Sequence, residues 1–134
     1  MDVTVLIATR NRADSLRRTL AGLGAQRTGG AFTFEILVAD NGSQDHTRQV
    51  VAAAAQTIPV PGRYVFVPQP GKPHALNRGV EAARGEFVAL TDDDVRHPSE
   101  WLGRLVATLR EHRADGAGGP VRPLWMSPRP AWLS

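Results

Sequence analysis

Short apolar, β-rich runs alternate with amphipathic stretches four times along this 134-residue chain. The runs are Val3 to Ala8, Phe34 to Ala39, Arg63 to Val67 and Glu86 to Leu90. Helical spacing of apolar residues predicts helices over Ala13 to Gln26, Ser43 to Ala55, Pro73 to Arg84 and Pro98 to His112. Leu16, Leu20 and Leu23 mark the buried face of the first. Val50, Val51 and Ala54 mark that of the second, with Ser43 as N-cap. Leu76, Val80 and Ala83 share a face of the third, which Pro73 opens and Gly85 ends. Leu102, Leu105, Val106 and Leu109 face inward on the fourth. Parallel strands need a crossover between them, and a helix supplies it. Strand then helix, repeated, therefore predicts an α/β fold: a mostly parallel sheet with helices on both faces. Ala117 to Val121 reads as the start of a further strand.

Such sheets bind ligands beyond the carboxyl ends of their strands. That rule brings together three polar loops, Thr9 to Arg12, Asp40 to Ser43 and Thr91 to Asp94, each directly after an apolar strand. The last is the most pointed. Thr91-Asp92-Asp93-Asp94 sets three mutually repelling carboxylates at a strand end. A hard divalent cation, Mg²⁺ or Mn²⁺, would relieve that repulsion and hold phosphate oxygens in its open positions. An acidic cap for the helix near Pro98 is the plain alternative.

Thr9-Arg10-Asn11-Arg12 has no glycine, which argues against a dinucleotide fingerprint or a P-loop. Its side chains suit a base or ribose; otherwise the loop is a polar turn capped by Asn11 or Asp14. Asp40 can accept from an imide or a ribose hydroxyl, whereas Asn41-Gly42-Ser43 reads mainly as a turn and cap. Lys72, the only lysine, is placed to reach a phosphate. Asn77, Glu81 and Arg84 form a polar stripe that is more often a solvated face, although Asn77 lies near the ligand edge. His97 follows Asp94 by three positions and is a lesser metal candidate; a surface or capping role suits it better.

Composition narrows the partners. The net charge of +3 is spread among scattered arginines, which does not point to nucleic acid and suits anionic small ligands or an anionic membrane face equally. With no cysteine, disulfides and thiolate metal sites are excluded. No apolar stretch approaches the ~20 residues of a spanning helix, and no signal peptide is expected.

Four ordered segments together resemble the nucleotide-sugar-binding half of family 2 glycosyltransferases, which have the Rossmann-like GT-A fold. They are Val5 to Arg12, Ile36 to Thr47, Gly71 to Gly79 and Ala83 to Asp94, closed by Pro98, Trp101 and Leu102. The resemblance implies inverting, metal-dependent transfer of a sugar from a nucleoside diphosphate, UDP-type favoured, to an acceptor hydroxyl. Asp40 would hold the base, Thr9, Arg10 and Arg12 would line the nucleotide pocket, and Lys72 would face the diphosphate, with Asn77 and Asp92 nearby. The acidic run would be the Asp-x-Asp motif binding Mn²⁺ or Mg²⁺, in one of two registers. Thr91-Asp92-Asp93 makes Asp93 the main ligand; Asp92-Asp93-Asp94 makes it Asp94.

Residues 1–121 would form a truncated donor-binding domain, and residues 122–134 a Pro/Trp-rich tail leading towards an acceptor-binding half. That half carries the family's general base, so no catalytic base is assigned here. A cytoplasmic setting, at the membrane face in many relatives, is what the resemblance implies. A nucleotide-binding module without activity of its own is the competing reading. An aspartyl-phosphate reading of Asp92-x-Asp94 is disfavoured, because that motif belongs after a first strand and before its lysine.

Overall fold

The computed structural model describes residues 1–133. Two compact units are distinguished, Met1–Arg104 and the residues from Leu105 onward. Four strands, β1 (Val3–Thr9), β2 (Phe34–Asp40), β3 (Gly62–Phe66) and β4 (Phe87–Thr91), alternate with α1 (Ala13–Gly24), α2 (Thr47–Thr57), α3 (Lys72–Ala82) and α4 (Trp101–His112). All pairings are parallel, in the order β3-β2-β1-β4. The chain thus winds outward from β1 to β3 and then returns to lay β4 on the other side of β1. The carboxyl ends of β1 and β4 are the point where the winding reverses.

Both β1 and β2 are buried along their whole length, as central parallel strands covered on two faces must be. Ile36 and Val38 face Leu20 of α1 and Val51 of α2. Leu6, Ala8, Leu37 and Ala39 pack on Ala75 of α3 on the opposite face. Of the predicted Leu76/Val80/Ala83 stripe, Leu76 packs against this cluster, but Val80 is half exposed and the residues α3 buries are Ala75 and Gly79. The reason is proximity: a Cβ on Gly79 would lie 2.3 Å from Leu6 Cδ1. Only small residues let this helix approach the sheet so closely.

One buried charge holds the far end of the sheet from the candidate site. Glu35 on β2 is wholly buried and accepts from Arg63 Nη1 on β3 (3.0 Å) and the Thr4 hydroxyl on β1 (2.9 Å). Arg63 also donates to the Ala82 carbonyl at the end of α3.

Two predicted boundaries move for physical reasons. The second helix starts at Thr47, not Ser43. Ser43 is occupied elsewhere: its Oγ accepts the Asn11 N–H (2.8 Å) and its N–H donates to Asp40 (2.8 Å). The fourth helix starts at Trp101, not Pro98. The Gln26 side chain captures the approach to it, donating to the Pro98 carbonyl and accepting the Leu102 N–H. In the second unit, residues 117–121 form no strand. Gly118-Gly119-Pro120 supplies two flexible residues and one without an N–H, and Val121 is 91% exposed, with no ladder partner among the described residues.

Candidate functional site

A cleft of about 400 Å³ opens at the carboxyl ends of β1 and β4. The β1 end contributes Ala8, Thr9, Arg10 and Arg12, the β2 end Asn41, the start of α3 Gly71 and Lys72, and the β4 end Asp92, Asp93 and Asp94. The predicted loops do converge. Of the nucleotide-site candidates, Thr9, Arg10, Arg12, Lys72 and Asp92 line this cleft, as do all three metal candidates.

The three carboxylates point differently. Asp93 is turned in and is 6% exposed. Its Oδ2 accepts the Thr9 hydroxyl at 2.6 Å, and its backbone carbonyl accepts the Thr19 hydroxyl of α1 at 2.9 Å. Asp92 and Asp94 are exposed on either side of it. Asp92 is paired with Lys72 Nζ, and Asp94 with Arg12 Nη1 at 2.9 Å. Arg12 Nη1 is also 3.7 Å from Asp93 Oδ1. Among the described residues no three acidic or imidazole side chains are grouped to hold a metal by themselves. The donor set nevertheless suits a hard cation bound through one or two carboxylate oxygens and completed by oxygens of a ligand. Thr19 escapes sequence reading because a threonine on the buried face of a helix has no signature.

The wall of the cleft is built by the β2 loop. Asn41 donates to the carbonyls of Val67 (3.3 Å) and Gln69 (2.6 Å) and accepts the Gly71 N–H (2.8 Å). It therefore fixes the segment that enters α3, where Gly71 turns at φ +120°. An Asn-Gly pair reads as a turn, and the lining role of Asn41 is not visible from it. Asn11 sits at φ +52° in the left-handed region. Its side-chain oxygen accepts the Gln44 N–H at 2.7 Å, so the first and second loops are tied directly.

Neither Asn11 nor Asp14 caps α1. Asp45 does so from the second loop, accepting the Ala13 N–H at 3.1 Å while also taking the Thr47 hydroxyl. The Thr47 hydrogen bond, more than any other contact, holds the Asp45 carboxyl below its ordinary pKa.

Asp40 and Asn77 stand apart from the cleft lining. Asp40 is 1% exposed, and its two oxygens accept the Ser43 N–H and the Tyr64 hydroxyl (2.7 Å). Burial and then the bond to Asp40 push the Tyr64 phenol up to about 12. The Arg48 guanidinium lies 5.7 Å from the Tyr64 ring centre. Asn77 is exposed on α3, on the face where Arg78 pairs with Glu81 (3.0 Å). His97 turns inward rather than to the surface: Nε2 meets the Thr91 hydroxyl at 2.8 Å and the ring lies 4.4 Å from that of Trp101. Burial lowers its pKa.

The family model for glycosyl transferase family 2 matches residues 4–128. The chain belongs to glycosyltransferase family 2. Among its relatives, the succinoglycan biosynthesis protein ExoM of Rhizobium meliloti (strain 1021) is 30% identical over 122 residues, covering 91% of this chain and 40% of the relative. Solved structures share its fold. The mannosyltransferase PcManGT of Pyrobaculum calidifontis, in complex with GDP-Man and Mn²⁺, is similar at TM-score 0.71 and 32% identity, over 80% of this chain and 32% of that one. Residues 1–349 of S. aureus TarS, in complex with UDP-GlcNAc, are similar at TM-score 0.71 and 26% identity, over 90% of this chain and 37% of that one. This family 2 chain thus has a GT-A fold and spans about two fifths of the length of the curated relatives it matches.

Proposed function

We propose that this chain supplies the donor site of a metal-dependent, inverting glycosyltransferase that takes a nucleoside-diphosphate sugar, UDP-type favoured. The observation that carries the reading is the cleft of about 400 Å³ at the winding reversal, lined by three carboxylates and three basic side chains, two of them paired with the acids. Neighbouring structures hold GDP-Man with Mn²⁺ and UDP-GlcNAc, which supports a nucleotide sugar and a divalent cation here. Asp93, Asp92 and Asp94 would hold Mn²⁺ or Mg²⁺, and the chemistry such a cation would supply is Lewis-acid stabilisation of a leaving diphosphate. Lys72 and Arg12 would neutralise the phosphate oxygens. Thr9 and Arg10 would line the nucleotide pocket, and Asn77 would stand at its rim.

Asp40 would read the base. A base N–H would then take the place of the Tyr64 hydroxyl as donor to Asp40 Oδ2, one donor exchanged for another. The acceptor and the general base would come from outside the cleft, since its only carboxylates among the described residues are those of the acidic run. That composition also favours a second reading, donor binding without transfer by this chain alone. Action at the cytoplasmic face of a membrane is proposed with it; the net charge of +3 is compatible with an anionic surface, as it is with anionic small ligands.

Calorimetric titration of UDP with and without Mn²⁺ tests the reading. Manganese-dependent binding that Asp93→Asn abolishes is the expected result, and Asp40→Ala should weaken binding with or without metal. Unchanged affinity in both variants would overturn the site assignment.

A further inference from the structure

Every carboxylate of the acidic run has a basic side chain at hand. Lys72 Nζ, from the first residue of α3, sits on Asp92. Arg12 Nη1, from the loop before α1, sits 2.9 Å from Asp94 and 3.7 Å from Asp93. These two side chains are more than half exposed, at 58% and 56%, yet both are turned across the cleft onto acids of another element. Their present positions neutralise the charge that a divalent cation would neutralise.

A cation that takes oxygens of these acids competes with Lys72 and Arg12 for the same negative charge. The displaced side chains remain at the cleft lining, where a diphosphate offers them new oxygens. We propose that Lys72 and Arg12 are resident counter-cations of the acidic run, exchanged for the metal and passed to the diphosphate, so that metal and nucleotide bind as a coupled pair. The inference rests on the donor-site reading above and deepens it. Metal alone binds weakly because it must break the two ion pairs. Nucleotide restores partners to both cations, and by linkage each ligand raises the affinity of the other by the same factor.

Magnitudes fix what should be seen. An exposed ion pair contributes little, so losing the Lys72–Asp92 pair should tighten binding of Mn²⁺ alone only about threefold. A charged hydrogen bond to phosphate contributes more, so binding of UDP in saturating Mn²⁺ should weaken about tenfold. With the affinity for UDP alone little changed, the coupling between the two ligands should fall by the same factor, about tenfold.

The experiment titrates free Mn²⁺, read by electron paramagnetic resonance, into the wild-type chain and Lys72→Met, with and without UDP. Lys72 is exposed, so its loss leaves the core intact. Arg10→Met is the control for mere charge, because Arg10 lines the same cleft but is in none of these ion pairs. Tighter binding of Mn²⁺ alone to Lys72→Met, together with weaker UDP binding, is the expected result. An Mn²⁺ affinity in Lys72→Met no higher than wild type overturns the exchange, as does an equal rise in Arg10→Met. If the wild-type chain binds neither Mn²⁺ nor UDP, the donor-site reading falls with it. Wild-type binding of the Mn²⁺–UDP pair without the Lys72 effect removes the exchange alone.

Discussion

The Thr9 hydroxyl donates to Asp93 Oδ2 at 2.6 Å, across 84 positions of sequence. The bond joins the ends of β1 and β4 where the winding of the sheet reverses. It also gives the acidic run its asymmetry, with one carboxylate drawn in and its two neighbours left outside. Thr9→Val keeps the shape and removes the donor. A buried carboxylate short of one partner costs about 2 kcal/mol. Thr9→Val should lower the urea midpoint accordingly and weaken Mn²⁺–UDP binding, whereas Thr9→Ser should retain most of both.

That junction was legible in the sequence as a convergence of loops. The apolar runs before Thr9 and Thr91 identify strand ends, and the parallel winding rule places their loops together. The bond itself was not legible, because which of three successive aspartates turns inward depends on the backbone after β4. Thr19 helps set that backbone from α1, through the carbonyls of Asp93 and Val95. The start of α2 was misread for a similar reason. Ser43 is an ordinary cap by local rules, but the Asn11 loop competes for its hydroxyl and wins. The face of α3 is shifted from the predicted stripe at Val80, although Leu76 packs on the core, because residue size outweighs hydrophobicity there. Val80 is the more apolar residue, yet only Gly79 fits against Leu6.

Gly79 offers a direct measure of that fit. A methyl group there would sit 2.3 Å from Leu6 Cδ1 and 2.7 Å from Cδ2, so Leu6 or the helix must shift. Helix propensity favours alanine over glycine by up to about 1 kcal/mol. Overpacking a dense core costs about 1 to 3 kcal/mol. The clash should win, and Gly79→Ala should be net destabilising in urea unfolding. A stabilised variant would show that α3 can retreat from the sheet without loss.

Glu35 and Arg63 test the opposite end of the sheet. Glu35 is wholly buried, and its strongest partner is the guanidinium 3.0 Å away. Arg63→Met removes the charge but keeps much of the volume, and it leaves a buried acid facing only the Thr4 hydroxyl and the backbone N–H of Arg84. Breaking one side of such a pair costs about 3 kcal/mol or more. The double variant Arg63→Met with Glu35→Leu should recover much of that loss. Thermal or urea unfolding of the single and double variants separates the two, and a double variant as unstable as the single would show that the pair is not what holds the strands.

Asp45 gives the fold a dependence on acid whose sign is fixed by its contacts. Its carboxyl lies below the ordinary value of 3.8, first through the Thr47 hydroxyl and further through the N–H groups of Ala13 and Thr47 and the charge of His46, with burial opposing them. The folded chain therefore holds this proton less tightly than the unfolded chain does. As pH falls, the unfolded state is protonated first, and the equilibrium moves towards it. The stability Asp45 contributes is complete above the unfolded value, about pH 4, and is lost as pH falls through the lower folded value. Asp45→Asn cannot take part in this titration. Its urea midpoint should lie below that of the wild type at neutral pH, with the gap closing in acid below about pH 4. Because Asp45 caps α1 and anchors the start of α2 together, the same variant should loosen the Asn11 loop and raise amide exchange there at neutral pH. A gap that stays constant through the acid range would mean that the hydrogen bonds hold equally well without the charge.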